Sequence, residues 1–390
     1  MHLIFATSIV PDGSPATGYE IANDAIIGAL RRAGAKVTVI GFTWPGKAPS
    51  DPENTVVLGE VDVSTDNASA LQKVQWLARA TASGSTFSSV KLKGVPAAQV
   101  AQALADIGPV DGYVLNAVQF AGAFEDMFTD KPFIFVAHNV EYRSAQENAA
   151  AARSPLQRML YCREARLLKA LEARLCERAR YVFTLAEEDR AMLGVAGDAR
   201  SAALPLVTGA APSRPVVRAV ECDAALVGTW TWQPNRIGLD WFLEQVVPRL
   251  APSFRIRIAG RTPADVASPH PGVEFVGRVP DAVAFMRSAA VVPLIARAGT
   301  GVQLKTIETF ELGLPAVATS SSLRGVDYFP RNCTVADEPE AFARALQHMA
   351  ASRPADLDGT AFRNAQLLAL DTRVRAGLDR LRPSGRKLAA

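Results

Sequence analysis

Residues Pro293 to Gly325, PLIARAGTGVQLKTIETFELGLPAVATSSSLRG, decide how this chain is read. The apolar run Ala290–Ile295 leads into them and has the composition of a parallel strand buried on both faces. Arg297–Gly301 form a glycine-containing loop. The spacing predicts a helix over Val302–Leu312, closed by Gly313 with Pro315 just beyond. Ala316–Thr319 reads as the next strand. A loop feeding a helix at the carboxyl end of a parallel strand is an anion site, because the first backbone N–H groups are unpaired and point outward. Lys305 stands near the helix start, where the macrodipole disfavours a cation. A bound phosphate would account for it, and Glu308, three residues on, shares its face. The same pair also admits a plain reading, an exposed and solvated ion pair.

Outward from this stretch, the second half alternates strand and helix. Ala225–Gly228 is expected as a strand, Gly238–Val246 as a helix, and Arg255–Ala259 and Val273–Val276 as strands. Pro280–Ser288 reads as a helix with Pro280 in its first position. The first half shows the same pattern. Leu3–Ser8 is a strand, Pro11–Gly18 a loop, Tyr19–Ala33 an amphipathic helix closed by Gly34, and Lys36–Phe42 a second strand, which completes a βαβ unit. A strand at Thr55–Val61 and helices at Leu71–Ala80 and Ala97–Ile107 follow. Gly112–Leu115 and Phe133–Ala137 are short apolar strands. A long helical region over Tyr142–Arg178, broken at Pro155, precedes a strand at Tyr181–Leu185. Pro205–Cys222, with Pro205, Pro212 and Pro215, reads as a linker.

The alternation predicts an α/β chain of two Rossmann-like, doubly wound parallel-sheet domains. The expected limits are 1–210 and 211–371, with 372–390 a C-terminal helix and tail packing back on the N-terminal domain. Ligands of such sheets bind at strand carboxyl ends, so the expected site lies in an inter-domain cleft.

Composition agrees with this reading. The chain has 390 residues, 49% of them apolar and 21% charged, as in a soluble globular protein. A formal net charge of +3 gives no argument for nucleic acid as a partner. Cys162, Cys176, Cys222 and Cys333 are scattered without a CxxC or a zinc spacing, and are expected to be reduced thiols of a cytoplasmic protein. The N-terminus MHLIFATSIVPDG lacks the pattern of a signal peptide, and no stretch is long enough for a transmembrane helix.

Three loops of the second half offer groups to an anion. In Gly228-Thr229-Trp230-Thr231-Trp232-Gln233-Pro234-Asn235, Gly228 would let backbone approach a ligand, and Thr229 and Thr231 carry hydroxyls for phosphate. Trp230 or Trp232 could instead be packing residues. Arg261, after the strand ending at Ala259, could clamp a diphosphate bidentately or be merely solvated. The third loop is Arg297–Gly301 with the helix behind it. In the first half, His138 in FVAHNVE stands at the carboxyl end of a buried strand. It is read either as a functional group or as a hydrogen-bonded structural histidine. His2, His270 and His348 occupy ordinary positions.

The phrases VGTWTWQPNRIGLDWFLEQVVPRL, FRIRIAGRTP, VEFVGRVPDAVAFMRSAAVVPLIARAGTGVQLKTIETFELGLPAVAT and HNVEYR resemble, in order, retaining glycosyltransferases with the GT-B fold, of the glycosyltransferase family 4 / group 1 type. The resemblance implies that Glu308 holds the ribose hydroxyls of a nucleotide-diphosphate sugar. Gly228, Thr229, Arg261, Gly299, Thr300, Gly301, Val302 and Lys305 are then the other donor-site candidates, and His138 lies beside the donor sugar. Ser14, Thr17, Gly18, Asn139 and Glu141 become the acceptor-site candidates. Two positions depart from the family. Thr300 stands where a Glu is common, so backbone N–H groups of Thr300–Val302 replace it or the sugar is of an unusual kind. No cation precedes Arg236 in the first loop, which shifts the diphosphate to Lys305 and Arg261.

The implied reaction transfers the sugar to an acceptor hydroxyl with retention of configuration, in surface polysaccharide or glycolipid biosynthesis. Fixed positive charge from Lys305, the helix N-terminus and, as a further candidate, Arg261 would act on the departing diphosphate, with His138 and Lys305 the catalytic candidates. No metal is expected, since Asp356-Leu357-Asp358 reads as solvated. A sugar-nucleotide epimerase of the same fold and a non-catalytic nucleotide- or sugar-binding protein are the competing readings. The basic stretch Arg153–Arg180 reads either as an amphipathic helix lying on an anionic membrane, near a glycan or lipid-linked acceptor, or as an ordinary domain helix with solvated arginines. The expected location is cytoplasmic, at the inner face of the cytoplasmic membrane on the first of these readings.

Overall fold

The computed structural model describes residues 1–15, 17–63, 68–209 and 218–382. Of the expected linker, Pro212 and Pro215 lie outside the described residues, as does the expected tail beyond Arg382. The chain divides into two units. Unit 1 comprises Met1–Leu206 and the chain from Leu368 on; unit 2 comprises Val207–Leu367.

Unit 1 is built on seven strands: β1 (His2–Ile9), β2 (Lys36–Thr43), β3 (Thr55–Glu60), β4 (Gly112–Asn116), β5 (Phe133–Ala137), β6 (Tyr181–Thr184) and β7 (Ser201–Ala203). All pair in parallel, in the order β3-β2-β1-β4-β5-β6-β7. Its helices are α1 (Gly18–Arg32), α2 (Ala70–Ala82), α3 (Phe87–Val90), α4 (Ala97–Asp106), α5 (Val118–Ala123), α6 (Glu141–Ala151), α7 (Pro155–Arg178) and α8 (Glu187–Met192). Every residue of β5 is buried, which requires cover on both faces of the sheet and explains its unbroken apolar sequence. Thr17 and Glu20 close the start of α1 as a capping box, and Gly34 at φ +85° follows its end. Ser154 caps α7 and Pro155 occupies its first turn, so the break at this proline separates two helices. The core gathers Phe42, Phe120, Phe128 and Phe135 between sheet and helices.

Unit 2 repeats the plan with β8 (Cys222–Thr229), β9 (Ile256–Arg261), β10 (Val273–Gly277), β11 (Ala289–Leu294), β12 (Ala316–Ala318) and β13 (Cys333–Val335). They form a parallel sheet in the order β10-β9-β8-β11-β12-β13. Its helices are α9 (Gln233–Trp241), which runs on into a π turn over Phe242–Val246, then α10 (Ala282–Arg287), α11 (Leu304–Glu311), α12 (Pro339–Ser352) and α13 (Gly359–Leu381). The unit boundary at Leu367 falls inside α13. Trp241, Phe242 and Phe342 centre the core. Pro280 does not begin α10. Asp281 caps that helix through Ala284 N, and Ala282 is its first residue, because a carboxylate there satisfies an N–H that proline leaves unserved.

In both sheets the strand order reverses once, between β1 and β4 in unit 1 and between β8 and β11 in unit 2. Loops leaving the carboxyl ends of these strands diverge to opposite sides and open the crevice where doubly wound sheets bind ligands.

Candidate active site

In unit 2 the loop between β11 and α11 is shaped by two glycines, Gly299 at φ +92° and Gly301 at φ +76°. A side chain on Gly299 would also press its Cβ to 3.0 Å from Pro234 Cβ. Thr300, between them, is buried at 6% exposure, so its side chain belongs to the loop's packing. The helix begins at Leu304, two residues later than the sequence suggests, with Gln303 at the cap position and no side-chain cap. Its amino end therefore presents backbone N–H groups beside the glycine loop. Lys305 Nζ and Glu308 Oε2 are 2.7 Å apart on the first turn, with Lys305 about half exposed. At the other end Leu312 caps the helix, and Gly313 at φ +68° takes the turn beyond.

Contacts that the sequence did not disclose pin this loop from behind. The Arg324 guanidinium donates to the carbonyls of Gly299 and, at 3.2 Å, Ala298. Ser322 Oγ accepts from Ala296 N at 2.9 Å and donates to Leu294 O at 2.8 Å, while Thr306 Oγ1 donates to Ser322 O at 2.6 Å. Thr319 caps this turn through Ser322 N. With carbonyls turned toward Arg324, the segment has a fixed back and a cation at its base. The Thr-x-x-Ser spacing was the one visible hint of the turn. Arg297, nearer in sequence, is committed elsewhere: it donates to Asp337 O at 3.0 Å and stacks 4.7 Å over the Trp241 ring.

The neighbouring strand ends come close for steric reasons. Gly228 pairs with Gly260 and Thr229 with Arg261 across β8 and β9. A Cβ on Gly260, at φ +118°, would come 1.8 Å from Gly228 O. A Cβ on Gly228 would meet the Trp230 indole at 2.8 Å, so the space expected for a ligand above this glycine is filled by that ring. Trp230 is buried and donates from Nε1 to Ala259 O at 2.9 Å; Trp232 is exposed. Thr229 and Arg261 are the last residues of their strands rather than loop residues, and Arg261 is exposed. Arg236 is paired with Asp240 at 2.6 Å and Asp265 at 3.1 Å.

Behind α11, Glu311 is wholly buried and accepts from Thr208 N at 3.1 Å, Thr208 Oγ1, and Arg363 Nη1 at 3.1 Å. Burial pushes its carboxyl up to about 7, against the pull of Thr208 and Arg363. It ties the first residues of unit 2 to α11 and α13. Asp356 is not solvated, as the sequence suggested. Its two oxygens share the Arg218 Nε–H, at 2.8 and 2.9 Å, in an ion pair with both side chains at 10% exposure or less. The reason lies 138 residues away in sequence. Among the described residues, no three His, Cys, Asp or Glu side chains are grouped as a metal site.

In unit 1, His138 follows β5 directly, one strand beyond the switch point between β1 and β4, and is 6% exposed. Its Nε2 lies 2.8 Å from Asn116 Oδ1, and its ring packs 4.8 Å from that of Tyr19. Burial lowers its proton affinity to a pKa of about 3, so the ring is neutral at pH 7. Ala117, next to Asn116, is held at φ +63° and ψ 170°, a region natural to glycine, at a cost of about 1–3 kcal/mol. Ser8 Oγ and Gln119 Oε1 are buried with no hydrogen-bond partner among the described residues. Strain and leftover polar capacity thus collect at this end of the sheet.

The remaining sequence candidates are dispersed in role. The Thr17 hydroxyl accepts from Glu20 N and donates to the Glu20 carboxylate, the work of a helix cap. Ser14 is exposed on the β1–α1 loop, and Gly18 is the exposed first residue of α1. Asn139 donates to Glu141 Oε1 at 3.4 Å, and burial raises the Glu141 carboxyl. The amino end of α6 is closed by Glu172, which accepts from Glu141 N at 2.7 Å and Tyr142 N at 3.1 Å. Glu172 is 1% exposed, and burial raises it to about 8.

Residues 221–352 match the family model described as glycosyl transferases group 1. Comparison with curated protein sequences gives no match. Among solved structures, TarM is similar over 98% of this chain and 99% of its own, at 9% identity and a TM-score of 0.63. Anabaena Alr3699/HepE in complex with UDP is similar over 97% and 100%, at 12% identity and a TM-score of 0.58. A mutant of S. aureus TarM in complex with fondaparinux, alpha-GlcNAc-glycerol and UDP is similar over 74% of this chain and 59% of its own, at 11% identity and a TM-score of 0.51. Both units have the architecture of the GT-B fold. The family match lies within unit 2 and covers 132 of the 390 residues.

Proposed function

We propose that this protein is a glycosyltransferase of the group 1 type, which takes its sugar from a nucleotide diphosphate and delivers it to an acceptor hydroxyl with retention of configuration. The observation that carries the reading is the loop of two positive-φ glycines leading into the uncapped α11, within the segment matched by the family model. The diphosphate would rest on the N–H groups of Thr300–Val302 and the helix start, with Lys305 supplying charge to the leaving group. Glu308 would take the ribose hydroxyls. HepE, of the same fold, was solved with UDP, which supports a nucleotide diphosphate as the donor's handle.

Chemically, the slow event is departure of the diphosphate from an oxocarbenium-like sugar, so charge fixed at the leaving group lowers the barrier more than binding of the sugar does. Lys305, Arg324 at the base of the loop and the helix dipole supply that charge without a metal. The departing phosphate can itself take the acceptor's proton. In unit 1, His138 would be the group that meets the sugar, and Ser14, Thr17, Gly18, Asn139 and Glu141 remain the candidates for the acceptor.

The acceptor is proposed to be a glycan or lipid-linked sugar of surface polysaccharide or glycolipid assembly, met at the inner face of the cytoplasmic membrane. In α7 the basic series divides. Arg174 and Arg178 pair with Glu125 at 2.9 and 3.0 Å, and Arg163 donates to Ala80 O at 2.7 Å. The amino-terminal turns instead expose Leu156, Met159 and Tyr161 beside exposed Arg153 and Arg158, a composition suited to an anionic membrane surface. No helix among the described residues is long and apolar enough to cross a membrane.

The test is incubation with UDP-, GDP- and dTDP-sugars and candidate acceptors, following nucleotide release and the anomeric configuration of the product by NMR. Release coupled to a product of retained configuration is expected. An inverted product, or an altered sugar still attached to its nucleotide, contradicts the proposal.

A further inference from the structure

The side chains around His138 determine which of its nitrogens carries the proton, through a series of hydrogen bonds that starts at a backbone carbonyl. Ile9 O can only accept, so the part of Asn23 that faces it at 3.3 Å is the NH2 group, which also donates to Thr7 Oγ1 at 3.1 Å. Asn23 Oδ1 is then left as the acceptor toward Asn116. The Asn116 group 2.7 Å from it must be NH2, whose hydrogens also face Thr7 Oγ1 and the Tyr19 hydroxyl at 3.3 Å each. That orientation turns Asn116 Oδ1 to His138 Nε2 at 2.8 Å. Two acceptors cannot share a hydrogen bond, so Nε2 bears the hydrogen and Nδ1 the lone pair.

Asn23 and Asn116 are fully buried, so water offers neither amide an alternative partner. Flipping either one would set oxygen against oxygen somewhere along the series and leave buried polar groups unsatisfied. We propose that Asn23 and Asn116 are positioning residues that hold His138 in the neutral tautomer with hydrogen on Nε2, relaying a preference set by the Ile9 carbonyl. Nδ1 is thereby an acceptor only. Such a nitrogen can receive a hydrogen bond from a hydroxyl but cannot donate one to a phosphate oxygen. The catalytic meaning rests on the reading of His138 as a neighbour of the donor sugar; the tautomer itself does not.

With four histidines in the chain, imidazole ¹⁵N NMR of the labelled full-length protein reads the tautomer directly, and loss of one signal set in His138→Asn assigns it. The expected spectrum shows Nε2 as N–H and Nδ1 as a lone-pair nitrogen, unchanged between about pH 5 and pH 8. Hydrogen on Nδ1, or a ring that titrates in that window, overturns the proposal. In Asn116→Asp the relay is broken and a carboxylate faces Nε2, so His138 is expected to begin titrating inside the window; a spectrum identical to the parent would show that Asn116 does not set the ring. If the tautomer is as stated while His138→Asn transfers sugar at the parent rate, the relay stands and the placement of His138 beside the sugar fails. The parent spectrum decides the relay even if a variant does not fold.

Discussion

Replacing Arg324 by alanine should cripple donor binding although this residue lies outside every loop first suspected. Its guanidinium holds the carbonyls of Ala298 and Gly299, so the segment that carries two glycines at positive φ is fixed before a ligand arrives. Hydrogen bonds to a charged group contribute about 1.5–3 kcal/mol each when buried. Arg324 is half-buried, and water recovers part of that sum, leaving about 1–2 kcal/mol for the pair. Ordering the freed glycine loop on binding costs about 1 kcal/mol more. Together they amount to about 2–3 kcal/mol, or roughly 30- to 150-fold weaker binding of a nucleoside diphosphate. Isothermal titration of parent and variant reads this directly, with thermal unfolding as the check that unit 2 is intact. Arg324→Lys should fall between, because an ammonium cannot serve two carbonyls as a planar fork does. Affinity within about twofold of the parent in Arg324→Ala would refute the claim that the loop depends on this clamp.

Other consequences are equally specific. Lys305→Ala should lower transfer by roughly tenfold or more with unchanged thermal unfolding; full turnover would remove its role at the phosphate. Asp356→Ala leaves the Arg218 charge buried and should destabilise unit 2 by about 3–5 kcal/mol in denaturant titration, whereas Arg218→Met with Asp356→Leu should recover most of the loss. Glu311 binds its proton more tightly folded, near pH 7, than the usual 4.5, so its contribution to stability is complete below about pH 4.5 and is lost as pH rises through about 7. The shift of 2.5 from these two values corresponds to about 3 kcal/mol at most. The melting temperature of the parent should therefore fall relative to Glu311→Gln between those pH values, and parallel profiles would show that Glu311 is not the titrating group.

Much of the fold is legible because local chemistry and tertiary structure agree. Gly34 and Gly313 end their helices at positive φ, Pro155 starts one, and the apolar FIFVA of β5 is buried as an interior parallel strand must be. Elements of three to six residues, such as β7, β13, α3 and α5, carry too little periodicity to be seen and depend on their neighbours. Residue roles were harder. The Thr17–Glu20 spacing is a capping box visible in the sequence, yet the functional reading of Thr17 obscured it. Gly228 is small for the Trp230 ring, not for an approaching ligand. Asp356 and Arg324 acquire their meaning from partners 138 and 25 residues away, which no local pattern specifies. Asn23 and Asn116 look like ordinary polar residues of a helix and a strand end until the fold brings them together with His138.

The central claim is that the diphosphate of the donor sits on the loop and first turn between β11 and α11. Amide hydrogen exchange with and without UDP, GDP or dTDP tests it most directly. The N–H groups of residues 300 to 305 should become protected by the nucleotide that binds, and that protection should vanish in Lys305→Ala or Arg324→Ala. Binding accompanied by protection elsewhere in the chain, with these amides unchanged, would contradict the account.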